Sequence, residues 1–287
     1  MNRDGVFVID EMDASGVWKE HFENLDNIGS NDEVIMTVCG FDGTRRNRYF
    51  GDEVISKEEE MDRVRKFKNG KSAGIDEITG EMIKNGGKMV IDWILKLCNK
   101  AFMEGIVSRD WRRAVIVPLY KGKGDKGNCR NYRVFSLLSV VGKIYAGVLV
   151  ERVRRVTEGL IGEEQGAFRS SRGCVDQIFI LKQMIEKIRE RKNKLYFGFM
   201  NLQPGYDRVN REGLWQVLVI YSVGDRLLNG IKSMYDDSEV CVRINGVKSD
   251  WFSITSEVRQ GCVVSLVIQF VYGWGYERIR GRGGRGC

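Results

Sequence analysis

The run Trp111-Arg112-Arg113-Ala114-Val115-Ile116-Val117-Pro118-Leu119-Tyr120 passes directly into Lys121-Gly122-Lys123-Gly124-Asp125-Lys126-Gly127, and Asn131-Tyr132-Arg133-Val134-Phe135-Ser136-Leu137-Leu138-Ser139 follows. Residues 114–120 are apolar and rich in β-branched and aromatic side chains, the composition of a strand. The glycine-lysine stretch after them reads as a flexible basic loop. Its cations suit phosphate oxygens, but it lacks the GxxxxGK[ST] order that cradles a nucleotide. Taken alone, a solvated hairpin is the simpler reading.

Upstream, residues 51–69 carry a helix start signal. Ser56 is placed to cap the first turn and Glu59 to return a bond to the Ser56 backbone, with Met61, Val64 and Phe67 on one face and Asn69-Gly70 as the stop. Three further apolar stripes fall at helical spacing: Met89, Val90, Trp93, Ile94, Leu97, Cys98, Ala101 and Phe102; Ile178, Leu181, Met184, Ile185 and Ile188; Leu214, Trp215, Val217, Leu218 and Tyr221. Each is expected to be a core face. Residues 195–202 read as a strand, and 241–244 with 251–258 as a hairpin about Asn245-Gly246. Helices and strands mix without a strict alternation, which predicts an α+β fold.

The bulk properties narrow the class. The 287 residues are 43% apolar and 30% charged, the balance of a folded soluble chain rather than a disordered one. Forty-six Lys and Arg against thirty-nine acids give +7, which favours an anionic partner but fits a solvated basic surface equally well. The charge is uneven: residues 1–33 hold nine acids and two cations, whereas Arg278, Arg280, Arg282 and Arg285 crowd the glycine-rich end. Seven scattered cysteines with no CxxC pair, and one histidine, argue for reduced thiols and against a zinc site. No signal peptide is evident, and the most apolar stretch, 134–150, is short for a bilayer span and broken by Lys143. A cytoplasmic or nuclear protein without membrane contact is the expectation.

The opening stretch resembles the fingers of non-LTR (LINE-type) retrotransposon reverse transcriptases, and three further blocks agree in order. These are Gly70-Lys71-Ser72-Ala73-Gly74-Ile75-Asp76; Glu164-Gln165-Gly166-Ala167-Phe168-Arg169 with Arg172-Gly173; and Val258-Arg259-Gln260-Gly261-Cys262. The resemblance covers about residues 54–270. Trp18 to Leu25 is similar to the connector that follows the endonuclease domain of such elements. It implies a right-hand polymerase fold in four parts: residues 1–53, a connector remnant following a lost endonuclease; 54–194, a fingers-like region; 195–270, a partial palm; and 271–287, a degenerate Arg/Gly-rich tail. It also implies an RNA template and a DNA primer as partners and Mg²⁺ as cofactor, two ions sitting about 3.5–4 Å apart between paired carboxylates. By motif matching, Lys121 or Lys123, with Arg133, lies against the triphosphate or the template backbone, and Gln260 and Gly261 line the nucleotide pocket. Tyr206 excludes a ribose 2′-hydroxyl, and Arg169 and Arg172 contact RNA.

The catalytic pattern departs from the family at its centre. The first palm motif, Asp-x-x-x-Ala-Tyr/Phe-Asp, reads Asn201-Leu202-Gln203-Pro204-Gly205-Tyr206-Asp207 here, so Asn201 stands at the metal-binding Asp and Asp207 follows. Asn offers a neutral carbonyl oxygen where hard Mg²⁺ prefers a carboxylate. Val134-Phe135 replaces the Pro/Gly-Ile pair expected after Arg133, and Leu266-Val267-Ile268-Gln269-Phe270 lacks the Pro and Phe-Asn expected after Ser265. No aromatic-x-Asp-Asp motif follows Gln260-Gly261 before Cys287; Tyr235-Asp236-Asp237 precedes it and reads as a surface turn. The expectation is a retrotransposon-derived, truncated reverse transcriptase domain, an RNA-directed DNA polymerase by descent, with no intact metal site and no activity of its own. Alternatives are a non-catalytic RNA- or DNA-binding module and a chain without a stable fold, whose strand 195–202 would be an exposed edge.

Overall fold

A computed structural model describes residues 16–21, 50–160, 166, 169, 172–198 and 211–254. It begins with a short helix, α1 (16–21), whose Trp18 is buried edge-on against Tyr132, the ring centroids 5.0 Å apart. Helix α2 (Lys57–Lys66) starts where the sequence places it. Ser56 Oγ accepts from the Glu59 N–H at 3.2 Å, and Glu59 Oε2 accepts from the Ser56 N–H at 3.0 Å, a reciprocal cap. It stops at Lys66, earlier than expected, and Gly70 then takes a φ of +69°.

Helices α3 (Gly80–Asn85), α4 (Gly87–Glu104) and α5 (Arg109–Arg112) lead into strand β1 (Arg113–Tyr120). Strand β2 (Tyr132–Leu138) returns antiparallel, Ala114 opposite Leu138 and Tyr120 opposite Tyr132. Helix α6 (Val140–Thr157), capped by Ser139, is buried along most of its length and forms the centre of the core with α2 and the later helices. Helices α7 (Cys174–Glu190), α8 (Arg211–Ile220) and α9 (Asp225–Ser233) follow, then strands β3 (Glu239–Ile244), β4 (Val247–Lys248) and β5 (Phe252–Ser253).

The sheet runs β2-β1-β3, with β4 and β5 both on the outer edge of β3. β1 and β3 are parallel, Arg113 opposite Glu239 and Ile116 opposite Val242. Pro118 lies beyond the last residue paired with β3, so its missing N–H breaks no parallel-ladder bond. The result is mixed α/β content on an open sheet, in line with the expected class.

Several expectations need correction. The second arm of the hairpin about Asn245-Gly246 is two short strands, β4 and β5, rather than one run from 251 to 258, of which 255–258 lie outside the described residues. Residues 195–198 form no strand, and 199–202 are outside the described residues. The α4 stripe splits: Ile94, Cys98, Ala101 and Phe102 are buried, whereas Met89, Trp93 and Leu97 are exposed. The α7 stripe does not enter the described core at all, and Ile178, Leu181, Met184 and Ile185 are exposed. Helical spacing reports an apolar face but not whether a neighbour covers it. The stripe on α8 is buried as expected.

Candidate nucleic-acid interface

The basic loop is held rather than flexible. The Lys121 N–H donates to the Asn131 carbonyl at 2.8 Å, the Asn131 amide donates to the Asp125 carbonyl at 2.8 Å, and Asp125 Oδ1 accepts from the Gly127 N–H at 2.9 Å. The Tyr120 and Tyr132 rings meet at its base, tilted by 58° with their centroids 5.4 Å apart. Their hydroxyls donate into the loop, Tyr120 to the Gly124 carbonyl and Tyr132 to the Lys126 carbonyl at 2.9 Å. Gly122 and Gly124 sit at φ +79° and +83°, a region that L side chains rarely adopt. A Cβ on Gly124 would also fall 2.6 Å from the Asn131 amide. The glycines therefore set a defined turn, and Lys121, Lys123 and Lys126 stand exposed on it.

Strand alternation extends this surface. Arg133 and Phe135 are exposed on one face of β2, while Tyr132 and Val134 pack on the core from the other. Leu119, opposite Arg133 on β1, is exposed as well. The loop lysines continue into a face that combines a guanidinium with an aromatic and an aliphatic side chain. Sequence reasoning picked out Lys121, Lys123 and Arg133 but missed Lys126, whose Nζ lies 5.7 Å from the Tyr120 ring centroid, and Phe135. The period-two spacing of Arg133 and Phe135 was the signal available for the latter.

The other predicted residues lie apart or outside. Arg169 is buried to about nine-tenths and pairs with Glu158, Nε to Oε1 at 3.0 Å, a bracing arrangement. Arg172 is half-buried just ahead of α7, where the Asp176 carboxylate accepts from the Gly173 N–H at 2.7 Å. Asn201, Tyr206, Asp207, Gln260 and Gly261 lie outside the described residues. Tyr235-Asp236-Asp237 forms a turn: Tyr235 is buried, Asp237 sits at φ +47°, and Asp237 pairs with Arg112 at 3.4 Å. Among the described residues no group of three His, Cys, Asp or Glu is placed to hold a metal ion. No described helix is long and apolar enough to cross a membrane.

The upstream glycine-rich motif is structural. A Cβ on Gly74 would lie 2.4 Å from the Leu138 carbonyl carbon and 2.5 Å from the Ser139 nitrogen, so only glycine lets this segment close on the β2–α6 junction. Gly142, one turn into α6, receives Trp111 in the same way, with 3.1 Å between a Cβ there and the indole. Both motifs thus fix the base of the hairpin that carries the basic loop.

Comparison with known proteins places the chain in a family. A family model described as reverse transcriptase (RNA-dependent DNA polymerase) matches residues 121–272, beginning at the first loop lysine. The chain is 29% identical over 245 residues to the transposon TX1 uncharacterized 149 kDa protein of Xenopus laevis, covering 83% of this chain and 19% of that one. It is 24% identical to the probable RNA-directed DNA polymerase from transposon BS of Drosophila melanogaster, and 23% identical to the RNA-directed DNA polymerase from mobile element jockey of the same organism. Each match covers 76% of this chain and 24% of the relative. The chain therefore spans about a fifth to a quarter of the length of these relatives. With more than half of its residues inside the family match, the chain belongs to the reverse transcriptase family, among those of non-LTR retrotransposons.

Proposed function

We propose that this chain is the nucleic-acid-gripping part of a retrotransposon reverse transcriptase. In this reading the β1–β2 hairpin belongs to the fingers, and its loop lysines and Arg133 hold the phosphates of the RNA template or of the incoming nucleotide. The observation that carries it is the held loop 121–127, with three exposed lysines set by two positive-φ glycines and two tyrosine hydroxyls. A loop with fixed donors loses less conformational entropy on meeting a phosphate chain than a mobile one.

Catalysis is a separate matter. Reverse transcriptases use divalent metal ions, and Asn201 stands where the family motif places the Asp that holds them, with Asp207 following. The neutral amide of Asn201 does not fit that role, because it supplies no charge against the two ions. We therefore propose that Asn201 disables polymerisation by this chain, while the grip on RNA template and DNA primer persists. Nucleotide incorporation on a primed RNA template with Mg²⁺ tests this, comparing Asn201 with Asn201→Asp, each joined to the second acidic motif of an active relative. Extension only by Asn201→Asp supports the reading; equal extension by both would sink it.

A further inference from the structure

Helix α7 ends in a reversal that gathers cations. The Lys192 N–H donates to the Arg189 carbonyl at 2.9 Å and the Asn193 N–H to the Ile188 carbonyl at 3.1 Å, with Lys192 at φ +53°. This paired closure turns the chain sharply back after the last helical residue. Residues 187–197 hold Lys187, Arg189, Arg191, Lys192 and Lys194 against one acid, Glu190. All five cations are exposed, and none pairs with a carboxylate among the described residues. Tyr196 follows at 84% exposure and Phe197 at 43%.

Part of this charge complements the helix dipole, whose C-terminal end amounts to about half a negative charge. The excess of cations is several times larger than that. The pairing of phosphate-binding side chains with an exposed aromatic ring such as Tyr196 is the combination that holds single strands, where bases stack on rings and the backbone meets cations. A membrane-surface helix spreads its cations along the whole polar face. The first eight residues of α7, 174–181, carry no cation and one acid, Asp176, which disfavours that alternative.

We infer that the α7 end, from Lys187 to Phe197, is a second contact surface for single-stranded nucleic acid, with Tyr196 stacking on a base. This rests on the nucleic-acid function proposed above and adds to it a site outside the basic loop.

Fluorescence anisotropy with a short labelled oligouridylate tests it across a salt series. The variant Arg189→Gln/Arg191→Gln/Lys194→Gln lowers the slope of log affinity against log salt by about 2, at roughly 0.7 per lost phosphate contact. Tyr196→Ala weakens binding on the order of tenfold, and Tyr196→Phe restores it, since the ring is kept. A parallel Lys121→Gln/Lys123→Gln variant reports on the loop alone. If that variant loses affinity while the α7 variants bind as the parent does, the second surface is wrong and the function stands. If no variant changes binding, both readings fall. Capture of the α7 end by phosphatidylserine vesicles but not by the oligonucleotide would overturn it in favour of a lipid surface.

Discussion

Arg152 holds Glu59 through two hydrogen bonds, Nε to Oε1 at 2.9 Å and Nη2 to Oε2 at 2.7 Å, the arginine buried and the glutamate partly so. The same guanidinium donates to the carbonyls of Gly51, Glu53 and Val54, so each of its five N–H groups has a partner. One arginine on α6 thereby fixes the start of α2 and the segment that leads into it. Removing one member of such a buried pair costs about 3–5 kcal/mol. Arg152→Met is predicted to destabilise the chain by that amount, measured by urea denaturation.

Burial works to raise the Glu59 carboxyl, but its bonds to Arg152 and the Ser56 N–H outweigh this and hold it below the ordinary range. Its stabilising effect is present above the unfolded-state value and is lost as pH falls through the lower folded one. In Arg152→Met the Glu59 part of the acid-induced loss should shrink, the Ser56 N–H and Arg155 still lowering the carboxyl. An unchanged acid limb in the variant would count against the assignment.

Glu60, the next residue, shifts the other way. It is fully buried with neither carboxylate oxygen hydrogen-bonded, and burial pushes it up to about 7, with Asp92 adding to the effect and Lys57 opposing it. Because the folded value is raised, stability from this group is complete below about 4.5 and is lost as pH rises through about 7. Glu60→Gln should lack that decline, and its advantage over the parent above neutrality is on the order of 3 kcal/mol. Denaturation midpoints at about pH 5 and about pH 8 measure it.

Gly74→Ala places a methyl group against the Leu138 and Ser139 backbone, which cannot move aside as a flexible side chain would. Overpacking of this kind costs about 1–3 kcal/mol. A Tm lowered by about 3–10 °C is the expected result in a thermal melt. A Tm equal to the parent's would show that the junction is looser than the contact implies.

Gly124→Ala tests the loop without touching the core. The positive φ and the close Asn131 amide both oppose a side chain there. Affinity for RNA should fall with little change in overall stability, and the salt slope should flatten as the lysines lose their common geometry. A variant that binds RNA normally would remove the case for a preset loop.

Much of the framework was legible because local rules decide it. The Ser56–Glu59 cap, strand β1 and the turn at Asn245-Gly246 all follow from residues a few positions apart. Glu60 was not legible: it shares a helical face with Val64 yet is a carboxylate, and its burial depends on where α4 and α6 lie. The Ile178–Ile188 stripe misled for the converse reason, since an apolar face does not name the element that covers it. At the candidate site, the lysines could be read from composition, whereas the tyrosine hydroxyls that set the loop required the β1–β2 register. The reading of Asn201 as a substituted metal-binding position came only through the family motif.

The parallel pairing of β1 with β3 joins Arg113 to Glu239, partners 126 positions apart, with a 2.8 Å ion pair at the join. During synthesis the β1–β2 hairpin emerges first and must wait for its other neighbour. At about 5–20 residues per second the delay is roughly 6–25 s. Throughout that interval the far edge of β1, Ala114 to Ile116, is an open template for any other nascent strand. A strand edge left open for so long is an aggregation hazard that closes only when Glu239 to Val242 arrive.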